Sequence, residues 1–201
     1  MDTAVNQWLG YAPPSTYGMC LALSNLPRIR SIESVGSTPL FEMQRVGLEF
    51  VNGQEALFHR IMGCGAGSVV VVPMPDTTSV RLIREYAVGF ERYELGFVKG
   101  RIDAGETPGQ AALRELREEI GCRAGQLDCL MSVSVMPGYA NFYSWIFVAS
   151  DLSDDPLKGD EPEVLETLDY SIGDFAMLRA REDFTDARCL LATYLVENHV
   201  G

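Results

Sequence analysis

GRIDAGETPGQAALRELREEIGC, Gly100 to Cys122, decides how the rest of this chain is read. Its first half is rich in glycine and its second half carries a helical pattern. At about 100° per residue, Glu115, Glu118 and Glu119 share a sector of roughly 100°, and Ala112, Leu113, Leu116 and Ile120 fill the adjoining one. Thr107, Pro108 and Gln110 predict a capping box with proline at the first helical position. Glu106 is spaced to pair with Arg114 and hold the acidic face in place.

Crowded carboxylates repel, and like charges at these spacings each cost a helix a few tenths of a kcal/mol. A hard divalent cation, bound through oxygen, offsets that repulsion. Mg²⁺ or Mn²⁺ suits the set better than zinc, because the stretch has no histidine and Cys122 has no thiolate partner at a zinc spacing. The glycine-rich loop lets the backbone approach a ligand closely, which makes the Gly100 carbonyl a further candidate ligand.

On helix content alone this is an ordinary solvated helix. Its spacing, however, is G-x5-E-x7-R-E-U-x-E-E-x-G-U with U apolar, and it resembles the Nudix box at every fixed position. At roughly 6% average usage per residue, such a coincidence arises about once in 10⁸ starts or fewer. Cys122 stands in place of a branched aliphatic, and a buried cysteine serves as a small hydrophobe. The resemblance implies an α/β fold, the Nudix α/β/α sandwich with a mixed central sheet. It further implies that Glu115 and Glu119 are metal ligands, that Glu118 shares or supports that work, and that Arg114 orients the carboxylates.

Outward from the box, Tyr93 to Val98, Ser79 to Tyr86 and Ser68 to Pro73 read as strands before it. Leu127 to Met136 and Phe142 to Ala149, joined at Pro137-Gly138, and Glu163 to Tyr170 read as strands after it. Helices are expected at Ile172 to Arg181 and at Asp186 to Asn198, the second with Leu190, Leu191, Tyr194 and Leu195 on its apolar face. Val46 to Val51 and Ala56 to Ile61 flank Asn52-Gly53, a hairpin signal, and with Arg28 to Phe41 they predict a small N-terminal sheet. The expected division is a loose extension over 1–26, a β subdomain over 27–66 and the Nudix domain over 67–201. Trp8, Leu9 and Tyr11 give the extension some docking character.

Three longer segments narrow the resemblance: Leu82 to Glu106, Ser134 to Ala149 and Leu157 to Tyr170 look like the ADP-compounds hydrolase branch, close to the ADP-ribose pyrophosphatases. Pro137 resembles the downstream proline of the ADP-ribose-hydrolysing group. The implied activity is metal-dependent cleavage of the pyrophosphate in ADP-linked compounds (ADP-ribose, NADH, diadenosine polyphosphates) with release of AMP. A late-loop glutamate is the implied general base, and GDEPEVLE offers Glu161 and Glu163. Arg84 has the fork geometry for phosphate, Glu94 and Lys99 flank the box, and Tyr86, Phe97, Tyr139 and Phe142 are candidates to stack on adenine. The alternatives are a catalytically silent Nudix fold that senses nucleotides and a protein-binding module.

The 201 residues suffice for one full core, and a net charge of −12 disfavours nucleic acid as a partner. No run of apolar residues is long enough to span a membrane and no basic-led signal peptide is visible, so a soluble protein is expected. Five scattered cysteines point to a reducing, cytoplasmic setting rather than a disulfide framework. By analogy with ADP-ribose-hydrolysing relatives, a homodimer built partly through the N-terminal sheet is expected.

Overall fold

The computed structural model describes residues 26–63, 65–159 and 162–200. The extension expected over 1–26 therefore lies, but for Leu26, outside the described residues, as does Glu161. The N-terminal sheet is an antiparallel meander of β1 (Arg28–Ser37), β2 (Phe41–Glu49) and β3 (Glu55–Gly63). Its second hairpin turns where Asn52-Gly53 predicts, with Gly53 at φ +79°. The second strand starts at Phe41 rather than Val46, because the ladder to β3 runs on to the pair Phe41 and Gly63.

The centre of the molecule is a four-stranded sheet in the order β7-β4-β9-β8, built from β4 (Ser68–Pro73), β7 (Val98–Arg101), β8 (Cys122–Val135) and β9 (Phe142–Asp154). It is mixed: β4 runs parallel to β9, and the outer pairs are antiparallel. Strands covered on both faces must be apolar throughout. β4 shows this directly, since Val69, Val70, Val71 and Val72 are all fully buried. Val69 and Val71 pack with Trp145, Ala112 and Leu116 beneath helix α1 (Pro108–Glu119). Val70 and Val72 pack on the other side with Phe175 and Leu178 of α2 (Phe175–Arg179) and with Cys189, Ala192 and Val196 of α3 (Ala187–Val200). Helix, sheet and helices thus form the three expected layers.

A third sheet, β10-β5-β6, comprises β5 (Ser79–Ala87), β6 (Arg92–Gly96) and β10 (Glu166–Ser171). The strand expected at Tyr93 to Val98 is divided at Phe97, whose fully buried ring lets the chain leave β5 and join β4. The helix expected at Ile172 to Arg181 is a 3₁₀ turn followed by the single short turn of α2. On α3 the inward residues are Cys189, Ala192, Thr193 and Val196. Tyr194 instead faces outward, its ring lying 4.1 Å from the Arg179 guanidinium. Among the described residues, no helix is long and apolar enough to cross a membrane.

Candidate active site

The helix that carries the carboxylates begins as its sequence dictates. The Thr107 hydroxyl accepts from the Gln110 backbone N–H at 3.3 Å and the Gln110 side chain accepts from Thr107 N–H at 2.8 Å, so orphan donors of the first turn are satisfied. At the other end Gly121 takes a φ of +68°, the left-handed turn that glycine adopts freely.

Arg114 is the hub of the acidic face. Its Nε and Nη2 donate to the two Glu106 carboxylate oxygens at 2.9 and 3.0 Å, and Nη2 also donates to the Arg101 carbonyl at 2.9 Å. Its Nη1 donates to Glu115 at 2.7 Å and to Glu118 at 2.8 Å. A guanidinium offers five N–H donors; Arg114 directs them all at protein oxygens, an arrangement that fixes three carboxylates, Glu106, Glu115 and Glu118. Those hydrogen bonds, foremost the one to Glu106, push the Arg114 pKa upward, and the same partner holds Glu106 below the usual carboxylate range.

The patch is less open to solvent than the helical wheel suggests. Glu115 is 9% exposed and lies directly over Gly100, where an added Cβ would fall inside its carboxyl group. Glu119 accepts from the Lys99 backbone N–H at 3.3 Å. Burial, reinforced by Glu115 and Glu85, pushes the Glu119 pKa up to about 9 against the pull of Lys99. The Lys99 ammonium meets Glu85 at 2.6 Å, and although burial works against its charge, the groups around it (Cys189, Glu85 and Glu119) keep its pKa raised.

Among the described residues, no three His, Cys, Asp or Glu groups converge as an ion cage. The reason is visible: Arg114 holds Glu115 and Glu118, while Glu119 turns to the Lys99 backbone. The donor set nevertheless fits a hard cation. It is all oxygen, Glu115 lies against the Gly100 backbone, and Glu119 is a half-buried carboxylate whose desolvation outweighs the pull of Lys99.

Glu163 lies across a pocket of about 340 Å³ from Glu118 and Glu119, and its Oε1 accepts from the Tyr93 hydroxyl at 2.8 Å. A larger cleft of about 590 Å³ opens beside Lys99, between the polar side chains of Glu85, Glu94 and Arg188 and an apolar wall that includes Phe90, Met136 and Phe142. Glu94 also accepts from the Thr185 hydroxyl at 2.8 Å. Other candidates stand apart from this group. Arg84 pairs with Glu166 at 3.2 Å and Asp183 at 3.6 Å, and Tyr139 lines a separate cleft of about 470 Å³ against β2 and β3. Phe97 is wholly core, its ring edge-on to Phe184.

Glu85, Tyr93, Asp186 and Arg188 are the site neighbours that reasoning from the string missed. Glu85 had a signal: adjacent strand residues face opposite ways, so an outward Arg84 turns Glu85 toward Lys99. Asp186, just before α3, and Arg188, in its first turn, form a bidentate pair at 3.1 and 2.6 Å, brought to the cleft only by tertiary packing.

The sequence model of the NUDIX domain matches residues 66–190, and that of the NudE-type Nudix hydrolase N-terminal domain matches residues 27–60. The chain belongs to the Nudix hydrolase family. Within that family it is 42% identical over 170 residues to the ADP compounds hydrolase NudE of Escherichia coli (strain K12), covering 85% of this chain and 91% of that one. It is 26% identical over 162 residues to an ADP-ribose pyrophosphatase of Bacillus subtilis (strain 168), covering 80% and 86% respectively. A solved structure described as the crystal structure of ADP compounds hydrolase superposes with a TM-score of 0.81 at 40% identity, covering 87% of this chain and 94% of that chain.

Proposed function

We propose that this Nudix hydrolase cleaves the pyrophosphate of ADP-linked compounds, ADP-ribose, NADH and short diadenosine polyphosphates among them, with release of AMP and with Mg²⁺ or Mn²⁺ as cofactor. The observation that carries the reading is the intact Glu115, Glu118 and Glu119 face beside Gly100, in a chain 42% identical to a hydrolase of ADP compounds. The same intact face gives no support to a silent nucleotide sensor.

Glu115, Glu118, Glu119 and the Gly100 carbonyl would hold the ions, which supply charge neutralisation on the diphosphate and a lowered pKa for the attacking water. Arg114 keeps the carboxylates in register. Glu163, which lines the same pocket as Glu118 and Glu119, would be the residue to accept the proton of the attacking water. Lys99, at the junction between the carboxylates and the larger cleft, meets anionic oxygen of the diphosphate, and the cleft receives one of the two linked groups, Glu94 accepting from its hydroxyls. Phosphoryl transfer leaves a protein chiefly positioning and electrostatic work, which is what this arrangement supplies. Arg84 and Tyr139 enter this reading only as outer contacts for a long substrate.

A homodimer and a cytoplasmic location complete the proposal. Ile29, Ile32, Met43 and Leu57 expose large apolar surfaces on the N-terminal sheet, which supports pairing of two copies there. Cys122, Cys129 and Cys189 are free thiols, in keeping with a reducing compartment. Incubation with ADP-ribose and Mg²⁺ should yield AMP and ribose 5-phosphate and should stop with chelator. Failure to turn over any ADP-linked compound with either ion overturns the reading, and sedimentation as a monomer at micromolar concentration overturns the dimer.

A further inference from the structure

The segment that carries Glu163 is anchored on both sides of that residue. At its start the Asp155 and Leu157 backbone N–H groups donate to the Gly121 and Arg117 carbonyls, each at 2.9 Å, and Arg117 pairs with Asp155. Gly159 then passes so close to the Glu118 carbonyl that an added Cβ would stand 3.1 Å from it. At its end the chain enters β10, whose first residue, Glu166, pairs with Arg84 both in the ladder and through its side chain. Between these anchors Leu165 packs against the apolar cluster beneath α1, but the side chains of Glu163, which is exposed, and Val164, 98% exposed, are not placed by burial. The tie that the structure shows for Glu163 is the 2.8 Å hydrogen bond from the Tyr93 hydroxyl.

Tyr93 is itself well placed to hold a neighbour. It sits on β6 opposite Tyr86 of β5, and the two rings meet edge-to-face with centroids 5.4 Å apart. That contact braces the ring on a paired strand, so the hydroxyl reaches the exposed Glu163 carboxylate from a strand position rather than from a loop.

We propose that Tyr93 is a positioning residue for Glu163: its hydroxyl holds the carboxylate at the pocket shared with Glu118 and Glu119. This rests on the reading of Glu163 as the proton acceptor. A base works only within hydrogen-bond reach of the proton that it takes, so a loop carboxylate released from its tie samples unproductive positions and turnover falls. Substrate affinity, set elsewhere, does not change.

The test is a double-mutant cycle of Tyr93→Phe and Glu163→Gln, with ADP-ribose and Mg²⁺. The phenylalanine keeps the ring against Tyr86, so the melting temperature should stay at that of the parent. The expected result is a fall in kcat of about three- to tenfold for Tyr93→Phe, the worth of one hydrogen bond, with KM unchanged. In the Glu163→Gln background, Tyr93→Phe should then change kcat no further. An unchanged kcat in Tyr93→Phe beside a crippled Glu163→Gln overturns the positioning role and leaves the base assignment standing. Equal losses from Tyr93→Phe in both backgrounds also overturn it, because Tyr93 would then act independently of Glu163. Full turnover by Glu163→Gln removes the base assignment and this inference together.

Discussion

Gly100→Ala is the most informative single substitution in this protein. Gly100 pairs with Val69 in the β7–β4 ladder and is not among the glycines of positive φ, so alanine introduces no backbone strain there. What it introduces is a methyl group in the space that the Glu115 carboxyl fills. To reach ordinary van der Waals contact that carboxyl must retreat by more than an ångström, away from a position held by Arg114 at 2.7 Å and almost wholly enclosed. Overpacking of this kind costs about 1 to 3 kcal/mol. In a chain of this size that corresponds to a melting point lower by roughly 2 to 12 °C. A displacement of an ångström at a reacting centre costs about 10²-fold in rate, so kcat with Mg²⁺ should fall at least that far. The measurement is a thermal melt beside a kcat determination, repeated in a Glu115→Ala background. There the methyl group has room, and Gly100→Ala should become neutral for stability while turnover stays low. If Gly100→Ala melts and turns over like the parent, the account of how Glu115 is placed is refuted.

Other expectations follow from the same geometry. Glu119→Gln should reduce turnover by orders of magnitude while the melting point holds, since the carboxylate that it replaces is already disfavoured as an ion by burial; the rise in melting temperature on adding Mg²⁺ with AMP should shrink as well. Leu116→Ala, on the fully buried face of the same helix, should instead cost about 2 to 5 kcal/mol in a denaturant titration. Burial alone would raise the pKa of Asp186, but the hydrogen bonds and charge of Arg188 bring it below the usual carboxylate range. A depressed carboxylate adds stability at pH values above its unfolded pKa of about 3.9, and that stability is lost as pH falls through the folded value. Asp186→Asn should therefore flatten the acid side of a stability–pH curve and leave its neutral-to-alkaline side parallel to that of the parent.

The sequence alone settled whatever is decided by neighbours along the chain. The capping box at Thr107, the clustering of carboxylates on α1, the pairing of Glu106 with Arg114 and the buried run of β4 all depend on interactions within a few residues or on a local period, so they are legible in the sequence. The 3.6-residue repeat of α1 placed Ala112 and Leu116 in the core, but not the burial of Glu115. Tertiary structure decided the rest. Only the packing of β7 against α1 sinks Glu115 over Gly100, only the chain's exit at Phe97 sets β6 and β7 in different sheets, and only the approach of the late loop to β6 joins Glu163 to a tyrosine 70 positions earlier. The physical reason is that a helix start or a strand pattern is fixed by local geometry, whereas a pKa, a cleft or a long-range hydrogen bond depends on which distant surfaces the burial of the two apolar faces of the central sheet happens to bring together.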